Sequence, residues 1–125
     1  MIGYVTLGTN DLDKAARFYD ALMAELGATR LMEMEGFITW AVNQQIPALS
    51  LTAPHNGQPA TAGNGVMVAL AADSPDKVDA VYRKAIELGG KCEGPSGKRG
   101  ESFYAGYFRD LEGNKLNVFC IMQTA

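Results

Sequence analysis

Few side chains in this sequence are of the kind that carries out covalent or acid–base chemistry. There is one histidine, His55, and there are two cysteines, Cys92 and Cys120. A Ser–His–Asp or Cys–His set needs an imidazole oriented by a partner. His55 lies beside Pro54 in a stretch rich in Gly, Pro and Asn, and reads as a solvated loop side chain. The cysteines lack CxxC spacing and read as two buried thiols of a reducing compartment. Gly63-Asn64-Gly65 lacks the lysine and helix of a phosphate-binding loop. Glu33, Glu35, Glu93 and Glu101 read as surface carboxylates, although Arg99 and Glu101 flank a glycine-rich stretch from which they can reach a bound molecule. Tyr4 and Tyr107 would serve as acid–base groups only with lowered pKa values, and the sequence shows no neighbour to lower them. No catalytic residue is assigned on these grounds.

The elements that would position such side chains come in two copies. Tyr4-Val5-Thr6-Leu7-Gly8-Thr9-Asn10-Asp11-Leu12-Asp13-Lys14 returns as Met67-Val68-Ala69-Leu70-Ala71-Ala72-Asp73-Ser74-Pro75-Asp76-Lys77. Further on, Tyr19 falls on Tyr82 and Glu25-Leu26-Gly27 on Glu87-Leu88-Gly89, after a slip of one residue. Self-similarity of this kind marks a duplicated supersecondary unit. Each copy opens with a short apolar strand and a capping turn. The first helix is expected over about 11–26, capped by Asn10 or Asp11 and stopped by Gly27. Its apolar stripe is Leu12, Ala15, Ala16, Tyr19, Leu22, Met23 and Leu26. The second has Ser74 as cap, Pro75 at its first position and Gly89 as stop, with Val78, Val81, Tyr82, Ala85 and Leu88 as its stripe. Three strand-like runs follow each helix, at 28–32, 37–42 and 48–52, then at about 91–93, 103–110 and 115–122. The turn Asp110-Leu111-Glu112-Gly113-Asn114 joins the last two as a hairpin. The reading is an α+β domain of two βαβββ modules, about 1–53 and 66–125, with a connector over 54–65. It has eight strands in a curved sheet, helices on the outer face and a ligand-sized cleft between the twins. The stretch 94–100 reads as a mobile loop or plain surface looseness.

Composition narrows the class. A chain of 125 residues, 47% apolar and 20% charged, suits one globular domain. A net charge of −3 with scattered Lys and Arg disfavours nucleic acid as a partner. No run of about 18 apolar residues marks a membrane span, and no signal peptide opens the sequence, so a cytoplasmic location is expected.

Tyr4-Val5-Thr6-Leu7, Phe18-Tyr19 and above all Tyr107-Phe108-Arg109-Asp110-Leu111-Glu112-Gly113-Asn114-Lys115-Leu116 resemble the vicinal oxygen chelate superfamily. That group contains glyoxalase I, bleomycin- and fosfomycin-resistance proteins and extradiol dioxygenases. The resemblance covers nearly the whole chain and implies an incompletely closed, barrel-like eight-stranded sheet. It also implies four cleft positions that carry His, Glu or Gln ligands to a divalent metal. Here they match Tyr4, about Ser50, Met67 and Asn117, none a usual ligand for such an ion. No cofactor is therefore expected. Strand alternation groups Tyr4 with Thr6, Met67 with Ala69, Asn117 with Phe119, and Phe103 with Ala105 and Tyr107. The resemblance turns these faces into the cleft and adds Trp40 from a neighbouring strand. The predicted ligand site is thus Tyr4, Thr6, Trp40, Ser50, Met67, Phe103, Tyr107, Asn117 and Phe119, suited to a flat or amphipathic small molecule. The alternatives are a glyoxalase-like lyase or isomerase with substituted residues, and a structural dimer whose aromatics fill the cleft. A homodimer is expected, because unpaired sheet edges need cover and because members of the family commonly pair.

Overall fold

The computed structural model describes residues 1–44 and 47–123. The first module runs β1 (Tyr4–Gly8), α1 (Leu12–Ala24), β2 (Thr29–Met34), β3 (Phe37–Ala41) and β4 (Ala48–Thr52). The second runs β5 (Val68–Ala71), α2 (Pro75–Glu87), β6 (Lys91–Lys98), β7 (Phe103–Arg109) and β8 (Lys115–Ile121). The two βαβββ units are those the internal echo predicts. Asp11 caps α1 by accepting from the Lys14 N–H, and Ser74 caps α2 by accepting from the Lys77 N–H.

Each module forms its own four-stranded sheet, ordered β1-β4-β3-β2 and β5-β8-β7-β6. The first strand of each lies parallel to the last, and the remaining pairs are antiparallel. Among the described residues the eight strands divide four and four, no barrel closes, and β1 and β5 are both edge strands. One face of each sheet carries a helix. Leu7, Ile38, Trp40, Leu49 and Leu51 turn towards α1, while Phe108, Leu116, Val118 and Cys120 turn towards α2. These side chains and the buried helix stripes merge into one core, and the helices also touch each other. The opposite face of each sheet is left open.

Two expectations are corrected. Residues 94–98 are not a loop but the second half of β6, pairing Gly94 with Tyr107, Gly97 with Ala105 and Lys98 with Tyr104. The register slips twice on the way, which accommodates Pro95 because β6 is an edge strand with no second neighbour to receive an N–H. Cys92 is exposed, and only Cys120 is buried.

The modules are fastened by the hairpin turn between β7 and β8. The Asp110 carboxylate accepts from the Tyr19 hydroxyl at 2.7 Å, from the backbone N–H groups of Glu112 and Asn114 at 2.9 Å, and from Asn114 Nδ2 at 3.0 Å. Asn114 Nδ2 also donates to the Gly8 carbonyl of β1. Beside it, Glu112 accepts from the Thr9 hydroxyl and from the backbone and side chain of Asn10. Asn10 in turn exchanges hydrogen bonds with Ala60, which pins the connector. The most distinctive sequence motif is therefore a joint between the modules.

Three carboxylates have lowered pKa values in the fold. Arg30 holds Asp20 down, chiefly by hydrogen bonding. Arg109 does the same for Glu93. Burial pushes Glu112 up, but the N–H and O–H donors of Asn10 and Thr9 outweigh it. A carboxylate with a lower pKa folded than unfolded adds stability above its unfolded pKa and loses it as pH falls. The urea midpoint should thus drop as pH falls below about 4, and Glu112→Gln should flatten that slope. A midpoint constant between pH 6 and pH 3 would contradict this assignment. Among the described residues, no helix is long and apolar enough to cross a membrane.

Candidate functional site

Strand parity places most of the predicted site residues on the open faces. In the first sheet, Thr6, Ser50 and Thr39 lie abreast across β1, β4 and β3. Ser50 and Thr39 are buried there and hydrogen-bonded to each other at 2.8 Å. Around them Tyr4 meets Phe37 edge-on, with ring centroids 6.4 Å apart. Tyr4, Met32, Met34, Phe37 and Thr39 line a pocket of about 520 Å³. Tyr4 is 62% exposed and Met34 59%, so this apolar wall is uncovered in the single chain.

The equivalent row of the second sheet is Ala69, Asn117 and Tyr107 across β5, β8 and β7. Asn117 is only 2% exposed, yet its Oδ1 has no hydrogen-bond partner among the described residues. Phe103 and Phe119 stack beside it at 5.5 Å with their planes 19° apart. Arg99 lies over the Tyr107 ring at 5.5 Å from its centroid and Lys115 at 5.8 Å. Arg109, on the same face, is ion-paired with Glu93 and donates to the Gly113 carbonyl at 2.8 Å.

Tyr4, Thr6 and Ser50 thus share one open face, and Phe103, Tyr107, Asn117 and Phe119 share the other. Met67 flanks the second group, just ahead of β5, and is 42% exposed. Trp40 does not belong with them. It faces α1, is 1% exposed, packs against Tyr19 at 5.8 Å and donates from Nε1 to Asp20 at 2.9 Å. The reason is parity: Thr39 is the β3 residue abreast of Ser50, so its neighbour Trp40 must point the other way. Met32, Met34 and Phe37 were missed, although Met32 and Met34 recur at the two-residue period of a strand face. Lys115 was missed, and Arg99 read as surface charge, because cross-strand pairing rather than sequence spacing brings them to Tyr107.

A second cavity, of about 680 Å³, lies along the seam where α1 and the α1-facing side of the first sheet meet β5 and the residues just before it. Its wall includes Ile2, Val5, Leu49, Val66 and Val68, with the ring of Trp40. It is larger, but the side chains that line it are apolar. The smaller pocket has Thr39 in its wall, backed by the buried Ser50 hydroxyl, and the second sheet has Asn117, so the open faces carry the groups that can orient a ligand.

The sequence profile of the Glyoxalase/Bleomycin resistance protein/Dioxygenase superfamily matches residues 1–118. The chain belongs to that superfamily. Among solved structures, a glyoxalase/bleomycin resistance protein from Albidiferax ferrireducens is 37% identical, with a TM-score of 0.89, over 96% of this chain and 98% of that one. A hypothetical protein from S. aureus is 25% identical, with a TM-score of 0.74, over 96% and 92% of the two chains. A lactoylglutathione lyase from Agrobacterium tumefaciens shares the fold at 23% identity and a TM-score of 0.67, over 96% and 92%. No curated protein matches the chain.

For this superfamily member the implied metal can be tested against the residues present. Tyr4 and Ser50 sit on adjacent strands of one sheet, Met67 and Asn117 at matching places on the other. The four offer a phenol, a hydroxyl, a thioether and a neutral amide, and the hydroxyl is committed to Thr39. Such a donor set does not fit a hard or borderline divalent ion, which favours imidazole and carboxylate. Nor do any three His, Cys, Asp or Glu side chains among the described residues gather as an alternative.

Proposed function

We propose that this superfamily member binds a small amphipathic or aromatic molecule on its open sheet faces, without a metal, and does so as a homodimer. The uncovered apolar wall of the first sheet carries the reading: Tyr4, Met32, Met34 and Phe37 line a pocket together with Thr39, whose hydroxyl is held by the buried Ser50. Methionines adapt to a ligand's shape, and the Thr39 hydroxyl supplies a fixed polar contact. A lyase or isomerase on the same face would need a metal or an acid–base pair, and the four matching positions provide neither imidazole nor carboxylate. The free edges of β1 and β5, flanked by exposed Ile2, Val66 and Met67, are the surface that a second copy would cover.

The test is a thermal-shift screen of aromatic and amphipathic compounds with EDTA present, since a ligand of the native state raises its melting temperature. Several hits are expected to shift the parent. No shift from any member of a broad screen would favour a filled, structural cleft instead. Elemental analysis should find no stoichiometric Zn, Ni, Mn or Fe in tag-free protein. The double variant Met67→His with Asn117→Glu should gain metal affinity over the parent, read by isothermal titration. Stoichiometric metal in the parent would overturn the metal-free reading. Light scattering at micromolar concentration should give a dimer mass, and a dilution-independent monomer mass would refute the pairing.

A further inference from the structure

We propose that the open face of the second sheet recognises the anionic group of an aromatic or amphipathic acid. Arg99 and Lys115 are its counter-charges, and Asn117 accepts from an N–H or O–H beside the anion. The inference rests on the small-molecule reading above and names the chemical class that this face selects.

Three observations converge on it. First, the face is cationic within a chain of net charge −3. Arg99, Arg109 and Lys115 stand against one carboxylate, Glu93, which Arg109 engages and which also bears on Lys115. Among the described residues, Arg99 and Lys115 have no carboxylate at ion-pair distance.

Second, Arg99 is seated rather than free. Its Nη2 donates to the Pro95 carbonyl at 2.5 Å and its Nη1 to the Lys98 carbonyl at 3.4 Å. A Cβ on Gly94 would lie 3.3 Å from Nη2 and 3.4 Å from the Tyr107 ring, and one on Gly97 would lie 3.5 Å from Nη1. The bare backbone of β6 therefore makes the bed on which the guanidinium reaches Tyr107. Among the described residues its other N–H donors have no acceptor, and a guanidinium fork suits an oxyanion.

Third, Asn117 lies directly across from Tyr107 in the β7–β8 register, and its buried Oδ1 lacks a donor. A buried acceptor without a partner is destabilising. A ligand N–H or O–H would relieve that. Two cations around one aromatic ring supply donors for an anion, and the orphan oxygen requires a donor from the ligand. The stacked Phe103 and Phe119 offer an apolar surface next to both. An acid that is aromatic and bears a hydroxyl, amine or amide hydrogen satisfies every group on this face.

The probes are 1-anilinonaphthalene-8-sulfonate and N-phenyl-1-naphthylamine, which share rings and an N–H and differ by the sulfonate. In fluorescence titrations of the parent, the sulfonate should bind at least about tenfold more tightly. The double variant Arg99→Gln with Lys115→Gln should weaken the sulfonate about tenfold and leave the neutral amine unchanged. Asn117→Leu, which removes an unpaired acceptor and should still fold, should weaken both probes. Lys14→Gln with Arg17→Gln, an equal charge change on the exposed side of α1, should affect neither. Displacement of the sulfonate by 1-naphthoate but not by inorganic phosphate would confirm an aromatic acid. Displacement by phosphate alone would show a bare anion site and overturn the proposal. Equal binding of both probes to the parent, or an unaltered sulfonate affinity in the Arg99/Lys115 variant, would also overturn it while leaving the small-molecule reading intact. Failure of both probes and of the compound screen would bring down both.

Discussion

Replacing Asp110 with Ala is expected to lower stability by on the order of 4 kcal/mol, the largest loss from any polar substitution in this chain. The carboxylate is 6% exposed and takes four hydrogen bonds, one of them from Tyr19, which is 1% exposed. Its removal strands the Tyr19 hydroxyl and the Asn114 backbone N–H, while the Asn114 amide keeps only its bond to the Gly8 carbonyl, and each buried donor left unpaired is destabilising by about 1–3 kcal/mol. It also loosens the contact between modules, because Tyr19 belongs to the first and Asp110 to the second. Tyr19→Phe removes one donor and leaves the other three in place, so it should lose only about 1–2 kcal/mol. Urea unfolding of the two variants gives the comparison. An Asp110→Ala loss no larger than that of Tyr19→Phe would mean that the turn is not the joint described here.

Trp40→Ala should be about as severe, at roughly 3–5 kcal/mol, since it empties the space of a fully buried indole. It also takes a donor from Asp20 and the stacking surface from Arg30, whose guanidinium lies 5.7 Å from the ring centroid. Such a loss is a large part of the 5–15 kcal/mol typical of a whole domain. Trp40→Phe keeps most of the volume and should lose less. Since Trp40 faces the helix, ligand affinity of the folded Trp40→Phe protein should equal that of the parent. A weakened affinity would return the indole to the binding site. Chemical denaturation and ligand titration of the same variant read both effects.

The two cases also show where sequence reasoning reaches and where it stops. The duplication, the caps Asp11 and Ser74, and the β7–β8 hairpin are written in local residue types, because helix ends and turns are decided within a few residues. Strand alternation likewise grouped Tyr4 with Thr6, Asn117 with Phe119, and Phe103 with Tyr107, and the register keeps each group on one face. Trp40 went astray because parity within a strand does not say which parity faces the helix. That is settled only by the β3–β4 register, through Thr39 and Ser50. The bed of Arg99 was hidden for a related reason. Gly94-Pro95-Ser96-Gly97 has the composition of a loop, yet β7 holds it as a strand. The Asp110 turn was legible as a turn, but its partner Tyr19 is 91 residues away in sequence.

The central claim is that ligand binding occurs on the open sheet faces and needs no metal. Backbone amide mapping of EDTA-treated, isotope-labelled protein, titrated with the best hit of the thermal-shift screen, tests it most directly. The account predicts saturable shifts at Tyr4, Met34 and Phe37 or at Tyr107, Asn117 and Phe119, with the signals of α1 and α2 little changed. Shifts confined to the seam around Ile2, Val5 and Val66, or binding that appears only after a divalent ion is added back, would contradict it.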